Sequence, residues 1–300
     1  MTDTRAPRVT VGVMAYNEGK HLAATLDSIL SQSFSDYEII IADNASEDDT
    51  SEIARAYAAR NPFVRVLRHE RNIGALQNFN TLVREARGEY FVLAGAHDLW
   101  SDNFLANLSR RLDEDSEVVL AYGITTWVDA DGRPLDLKVG FIDTSGLDAL
   151  ARFNLVLWGN PYALYGMYRA SALRKTRLQL EFIGSGVLLL SELAILGTFI
   201  VDQDVRWYRR QVRGPESTDQ RIQRYYRVLF SKPRRRILPY WRVLPAYLGS
   251  ILRIEIPFLL RLALLASAPN ILLRFAKYMA YDVVLLVRRA FHRGTKDAAR

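Results

Sequence analysis

The strongest constraint on this chain is an alternation that runs through its first hundred residues or so. Short apolar runs rich in Val and Ile are each followed by apolar residues at helical spacing. Residues 9–14 form the first such run, and Leu22, Leu26, Ile29 and Leu30 follow it. A second run at 37–42 precedes Ile53, Ala54, Tyr57 and Ala58, a third spans 63–67 before a helical stretch at 74–86, and a fourth spans 90–94. Strands that alternate with helices imply a parallel sheet covered by helices on both faces, an α/β fold. Three of these strands end in polar residues: Tyr16, Asn17 and Glu18; Asp43, Asn44 and Ser46; His97 and Asp98. Open α/β sheets bind ligands at the carboxyl ends of their strands, so one cleft is expected to collect all three groups. Asp43, Asp48 and Asp98 also read as helix caps, and Glu18 as a first-turn charge; neither role conflicts with ligand binding at a strand-to-helix loop.

The second half is less regular. A helix is expected near 103–112, strands at 118–122 and 125–128, and a hairpin turn at Asp129-Ala-Asp-Gly132. Beyond it the pattern predicts a helix over 147–156, a strand over 162–168, an apolar helix over 187–196, and strands at 198–201 and 205–208. Charge is distributed unevenly: residues 206–300 carry 21 Lys and Arg against 5 Asp and Glu, within a chain whose net charge is +7. With no cysteine, disulfides, thiolate metal sites and a cysteine nucleophile are excluded. The first residues lack an apolar stretch, so no cleaved signal and a cytoplasmic location are expected.

Several segments are specific in residues, order and spacing. Val11-Gly-Val-Met-Ala-Tyr-Asn-Glu18, Leu26-Asp-Ser-Ile-Leu-Ser-Gln32, Asp43-Asn-Ala-Ser46 with Asp48, Arg71-Asn-Ile-Gly74, Asn78-Phe79 and Gly88-Glu-Tyr-Phe91 resemble the family 2 glycosyltransferases. The resemblance covers about residues 8–128 well and 160–215 more loosely. It implies the GT-A fold, a Rossmann-like, mostly parallel sheet with helices on both faces, here over residues 1–215 with a C-terminal basic helical extension over 216–300. It also implies transfer of a sugar, with inversion, from a nucleotide-diphosphate donor to a glycan or lipid-linked acceptor, in bacterial surface glycan assembly. Ala15, Tyr16, Asn17, Glu18, Asp43, Asn44, Ser46, Arg71, Asn72, Gly74 and Asn78 would line the nucleotide, with Asp43 accepting from the base.

Three positions depart from the family pattern. An Asp-x-Asp is expected where this chain has Gly95, Ala96 and His97; against members with a His-Asp-Asp version it reads Ala96-His97-Asp98. His97 and Asp98 are then the metal candidates, for Mn or Mg, with Asp98 also a catalytic candidate. The general base would stand at Gly186, and Glu192 is the nearest substitute, with a structural role as the competing reading. Where relatives supply a His, this chain has Val212 and Arg213, so Arg209, Arg210 and Arg213 are candidates for neutralising the diphosphate without a metal. A transferase that binds donor or a partner enzyme without turnover is the alternative. No nucleic-acid motif is visible, so no nucleic-acid partner is expected.

In the extension, cations interrupt the apolar runs of 256–260, 262–268 and 283–287. That pattern predicts either amphipathic helices lying on an anionic membrane or a bundle packed on the catalytic domain or another subunit.

Overall fold

The computed structural model of the chain describes residues 5–212, residue 220 and residues 239–297. The first half follows the predicted alternation: β1 (Val9–Ala15), α1 (Leu22–Leu30), β2 (Tyr37–Asp43), α2 (Thr50–Arg60), β3 (Val64–Arg68), α3 (Ala75–Glu85) and β4 (Tyr90–Gly95). Then come β5 (Leu99–Trp100), α4 (Phe104–Glu114), β6 (Val118–Val128), α5 (Ala149–Trp158), β7 (Met167–Arg169), α6 (Ala170–Lys175), α7 (Ser185–Leu196) and β8 (Thr198–Arg210). Past the undescribed stretch lie α8 (Val243–Arg253), α9 (Phe258–Ala266) and α10 (Ala268–Asp297).

All eight strands form one sheet in the order β3-β2-β1-β4-β7-β6-β8-β5. β1 to β4 are mutually parallel, as expected. The other half is mixed: β7 runs antiparallel to β4 and β6, β6 and β8 are parallel, and β5 is antiparallel to β8. Side chains alternate across the pleat, so Ile39 and Ile41 of β2 enter the layer against α1, α2 and α4, while Ile40 and Ala42 enter the layer against α3, α6 and α7. A strand buried on both faces must be apolar throughout, and this explains the unbroken runs in the sequence.

Four expectations change. Residues 118–122 and 125–128 are one strand, and so are 198–201 and 205–208; their pairing shifts register at Gly123, where an added Cβ would stand 2.6 Å from the Val205 carbonyl oxygen. Residues 162–168 are not a strand throughout: Pro161–Tyr165 form a 3-10 turn, capped by the Asn160 side chain on the Tyr162 N–H, and only Met167–Arg169 pair in the sheet. The hairpin at 129–132 forms, with Gly132 at φ 86° and Val128 bridging Pro134. β5 was not expected, because two residues carry no periodicity. It lays Leu99 against Tyr208 and Trp100 against Trp207, which brings the end of β4 beside the end of β8.

The described part of the extension packs on the rest of the chain. Tyr247 and Ile251 of α8 and Ile271, Phe275 and Met279 of α10 share one apolar cluster with Phe153 and Leu157 of α5 and Leu188 of α7. The extension therefore completes a core instead of standing apart from it.

At the amino ends of the strands, the buried Glu38 accepts from Thr10 Oγ1 (2.9 Å), Arg87 Nη2 (2.6 Å) and the Arg87 N–H (3.2 Å), joining β1, β2 and the turn before β4. Burial pushes this carboxyl up, but the Arg87 and Thr10 hydrogen bonds outweigh it and hold the group below its ordinary 4.5. A depressed carboxylate contributes stability above its unfolded value and loses it as pH falls through the folded one. Glu38→Gln is expected to lower the unfolding free energy by about 1–3 kcal/mol at neutral pH. In urea denaturation the gap to wild type should close as pH falls below 4.5.

Candidate functional site

The loops after β1 and β2 are stitched together by short polar side chains. Asn17, in the left-handed region at φ 55°, donates its N–H to Ser46 Oγ (2.9 Å), and its Oδ1 accepts from the Glu47 N–H (2.9 Å). The Glu18 N–H donates to Thr50 Oγ1 (2.8 Å) and the Gly19 N–H to Asp48 Oδ2 (2.9 Å). Ala45 also holds a left-handed φ of 60°, a conformation that costs an L-residue about 1–2 kcal/mol and that these bonds sustain. Ala15 is buried at the base of the loop; Tyr16 is exposed at its crest.

Asp43 anchors the loop after β2. Its carboxylate is 0% exposed, accepting from the Ser46 N–H (3.0 Å) and from Arg68 Nη1 (2.9 Å), while Arg68 Nη2 donates to the Ser46 carbonyl (3.0 Å). Both oxygens thus accept from the protein, and Asp43 shapes the loop. Asn44 extends the frame: its Nδ2 donates to Asn72 Oδ1 (2.9 Å), its Oδ1 accepts from the Ile73 N–H (2.9 Å), and Asn72 Oδ1 also accepts from the Gly74 N–H (2.8 Å). Gly74 sits at φ 82°, where a side chain would be strained. Asn78 locks this loop to β2 by donating to the Ala42 carbonyl (2.9 Å), and its Oδ1 lies 2.9 Å from His69 Nε2. Arg71 is exposed at the rim.

The third strand end carries the larger correction. Asp98 is only 2% exposed: its Oδ1 accepts from the Arg210 N–H (3.1 Å), and its Oδ2 lies 2.8 Å from the point where a Cβ on Gly95 would stand. The carboxylate is folded back into the sheet edge, in the space that a side chain at position 95 would need. Burial pushes its pKa up, against the pull of His97, the Arg210 N–H and Arg209. The His97 ring stands between two carboxylates, with Nδ1 2.8 Å from Glu18 Oε1 and Nε2 3.8 Å from Asp98 Oδ1. A hard divalent cation prefers outward-facing oxygen ligands. Asp98 does not present one, Glu18 is paired with His97, and among the described residues no three His, Asp or Glu side chains are placed to hold a metal ion. As arranged, His97 and Asp98 do not fit the expected Mn or Mg site.

Of the expected diphosphate residues, Arg210 is buried and committed. Its Nε donates to the His97 carbonyl (3.0 Å) and its Nη1 to the Ala130 carbonyl (2.7 Å), with His21 Nδ1 at 3.3 Å. Burial, then the nearby Arg210 charge, lowers the His21 pKa, which suits an imidazole that accepts from a guanidinium. Arg209 is partly exposed, its guanidinium lying over Trp127 (4.5 Å) and Tyr162 (5.2 Å), within electrostatic range of Asp98. Arg213 lies outside the described residues.

Glu192 is not brought to the cleft. It is buried in α7, where Oε2 accepts from the Arg177 N–H (2.8 Å) and Ser250 of α8 faces it; burial raises its pKa. At Gly186, the position expected for the base, an added Cβ would stand 2.7 Å from Leu164 Cδ1, the tip of a side chain that can turn aside. Sequence reasoning missed Arg68, His21 and Thr25, whose Oγ1 donates to the Asp98 carbonyl (2.9 Å). Arg68 carried one usable signal, its position at the end of the strand beside β2.

With the geometry described, comparisons with known proteins add the lineage. Residues 10–155 match the model of Glycosyl transferase family 2. Glycosyltransferase GlyG of Streptococcus pneumoniae is 34% identical over 113 residues, 37% of this chain and 38% of that protein. The putative teichuronic acid biosynthesis glycosyltransferase TuaG of Bacillus subtilis is 30% identical over 132 residues, 43% of this chain and 51% of its own length. The chain thus spans about a third to a half of these relatives. S. aureus TarS 1-349 in complex with UDP-GlcNAc has the same fold, with a TM-score of 0.61 over 90% of this chain and 73% of that one at 17% identity. The match over residues 10–155 makes this stretch similar to Glycosyl transferase family 2, and the sheet that carries it has a GT-A fold.

Proposed function

We propose that this chain transfers a sugar from a nucleoside diphosphate donor to an acceptor hydroxyl with inversion, in the assembly of a bacterial surface glycan. The observation that carries the reading is the frame of Asn17, Asn44, Ser46 and Asn72 past the ends of β1, β2 and β3, with Arg209 and Arg210 at the end of β8 beside the end of β4. A UDP-sugar in the TarS complex and teichuronic acid biosynthesis for TuaG support the donor class and the setting.

In an inverting transfer the acceptor oxygen bonds to the anomeric carbon opposite the diphosphate. The carbon–oxygen bond to the diphosphate breaks, its electron pair leaves with the phosphate oxygen, and the hydroxyl proton passes to a base. Negative charge grows on the leaving group, so a fixed cation there stabilises the transition state more than the ground state. Arg209 is the group for this role: stacking on two aromatic faces orients its planar fork and leaves little freedom to lose on binding phosphate. Arg210 is a positioning residue, holding the His97 and Ala130 carbonyls and the Asp98 carboxylate in place. The Asp98 carboxylate points into the fold, against Gly95.

A second reading, donor binding without turnover, is favoured by one observation: the position expected for the base is Gly186, which carries no side chain. Losing a general base costs roughly 10²–10⁴-fold in rate, which slows transfer without abolishing it.

Calorimetry with UDP-, GDP- and dTDP-sugars is expected to find one donor that binds, and product analysis to find inverted anomeric configuration. Transfer should survive EDTA, and Arg209→Ala should lower kcat/KM by about 10²-fold with little change in nucleoside affinity. Loss of transfer in EDTA would return the role to a metal. Donor binding with no transfer to any acceptor would establish the second reading. Asp98→Asn, whose amide oxygen can still accept from the Arg210 N–H, is expected to keep both fold stability and donor affinity. A collapse of affinity in that variant would mean that Asp98 meets the donor or its metal.

A further inference from the structure

α9 and α10 are inverted relative to ordinary surface helices, which turn polar residues outward. The exposed side chains of α9 are Phe258, Leu259, Leu262 and Ala266, all apolar. Over residues 268–287, ten of the described side chains are exposed; nine of these are apolar and the tenth is Lys277. Exposure is high at Phe258 (69%), Leu259 (77%) and Leu273 (65%), so these are not core residues caught at a margin. Three polar groups of the same helices turn inward and find partners. Asn270 Nδ2 donates to Asn154 Oδ1 (3.0 Å), Arg274 Nε to the Leu157 carbonyl (3.0 Å), and Asp282 Oδ2 accepts from the Tyr240 N–H (2.7 Å). A monomer in water rarely leaves so large an apolar stripe open.

We infer that this stripe is a docking face for an anionic membrane surface. Charge complementarity selects the occupant: residues 239–300 hold 10 Lys and Arg against 3 Asp and Glu. Arg242, Arg253 and Lys277 are exposed beside the stripe, together with the half-exposed Trp241, a side chain suited to the headgroup region. Apolar side chains would enter the acyl boundary while the cations meet lipid phosphates, the physics of an interfacial helix. A second copy of this chain fits less well, since an isologous pairing would bring the same excess of cations face to face.

The stretch Phe258–Val284 is also long and apolar enough to cross a bilayer. Crossing would require Ile271, Phe275 and Met279 to leave the cluster they share with α5 and α8, and would carry Arg261, Arg274, Lys277 and Asp282 into the hydrocarbon. Lying flat keeps every one of these groups where it is.

The test is flotation of the intact chain with phosphatidylglycerol-containing vesicles and with pure phosphatidylcholine vesicles, at low and high salt, with no donor present. The chain should float with the anionic vesicles, less with the zwitterionic ones, and less as salt screens the cations. Leu259→Glu with Leu273→Glu changes only exposed positions; it should keep the circular dichroism spectrum and lower vesicle affinity by at least about tenfold. Three results would overturn the inference: no flotation with anionic vesicles; a dimer in sedimentation that the double variant dissociates while vesicle binding is absent; or membrane association that resists alkaline carbonate, as a spanning helix would. None of these readouts depends on sugar transfer, so the docking face and the proposed activity fail separately.

Discussion

A sheet buried on both faces leaves its polar chemistry nowhere to go except the strand ends. β1, β2 and β4 are apolar through their length, and the buried carboxylates Glu38, Asp43 and Asp98 all lie at or near the edges of the sheet. Each is met by a guanidinium group or by backbone N–H groups. Glu38 is met by Arg87, Asp43 by Arg68 and the Ser46 N–H, and Asp98 by the Arg210 N–H. A buried carboxylate left unpaired would cost several kcal/mol, so these pairs hold the edges rigid. The ligand loops hang from two of them.

This arrangement separates groups that shape the cleft from groups that face it. Asp43 and Asp98 are the residues that a motif reading selects for contact with nucleotide and metal, yet both point inward. Tyr16, Arg71 and Arg209 are the ones left partly or fully exposed at or just past the carboxyl ends of β1, β3 and β8. Arg210 belongs with the first group. One guanidinium satisfies two carbonyls on different loops, which a lysine ammonium, lacking the planar fork, would do less well.

The extension has two faces with different obligations. Ile271, Phe275 and Met279, spaced four residues apart, complete the cluster over α5 and α7, while the opposite face stays apolar and open. Of the two readings of the extension, the bundle is therefore realised on one face, and the other face retains the chemistry of an interface. An apolar residue in such a segment is needed twice over, for the core on one side and for whatever covers the other.

The amino-acid sequence by itself determined the α/β alternation, the parallel half of the sheet and the polar strand ends, because a β-strand buried on both faces and an amphipathic helix each impose a local period on their residues. It also carried the identity of the Asn17, Asn44, Ser46 and Asn72 frame, whose short side chains bond within neighbouring loops. Tertiary structure alone decided the rest. Nothing near Asp98 in the chain indicates that Arg210, 112 residues away, caps its carboxylate, or that Gly95 leaves the space it folds into. The two residues of β5 have no period to read, and they are what bring that strand end to β8. Glu192 and Asp98 carry the same kind of functional group in the sequence. Their roles follow from the direction each side chain takes and from the neighbours it meets, and both are set by packing across long stretches of chain.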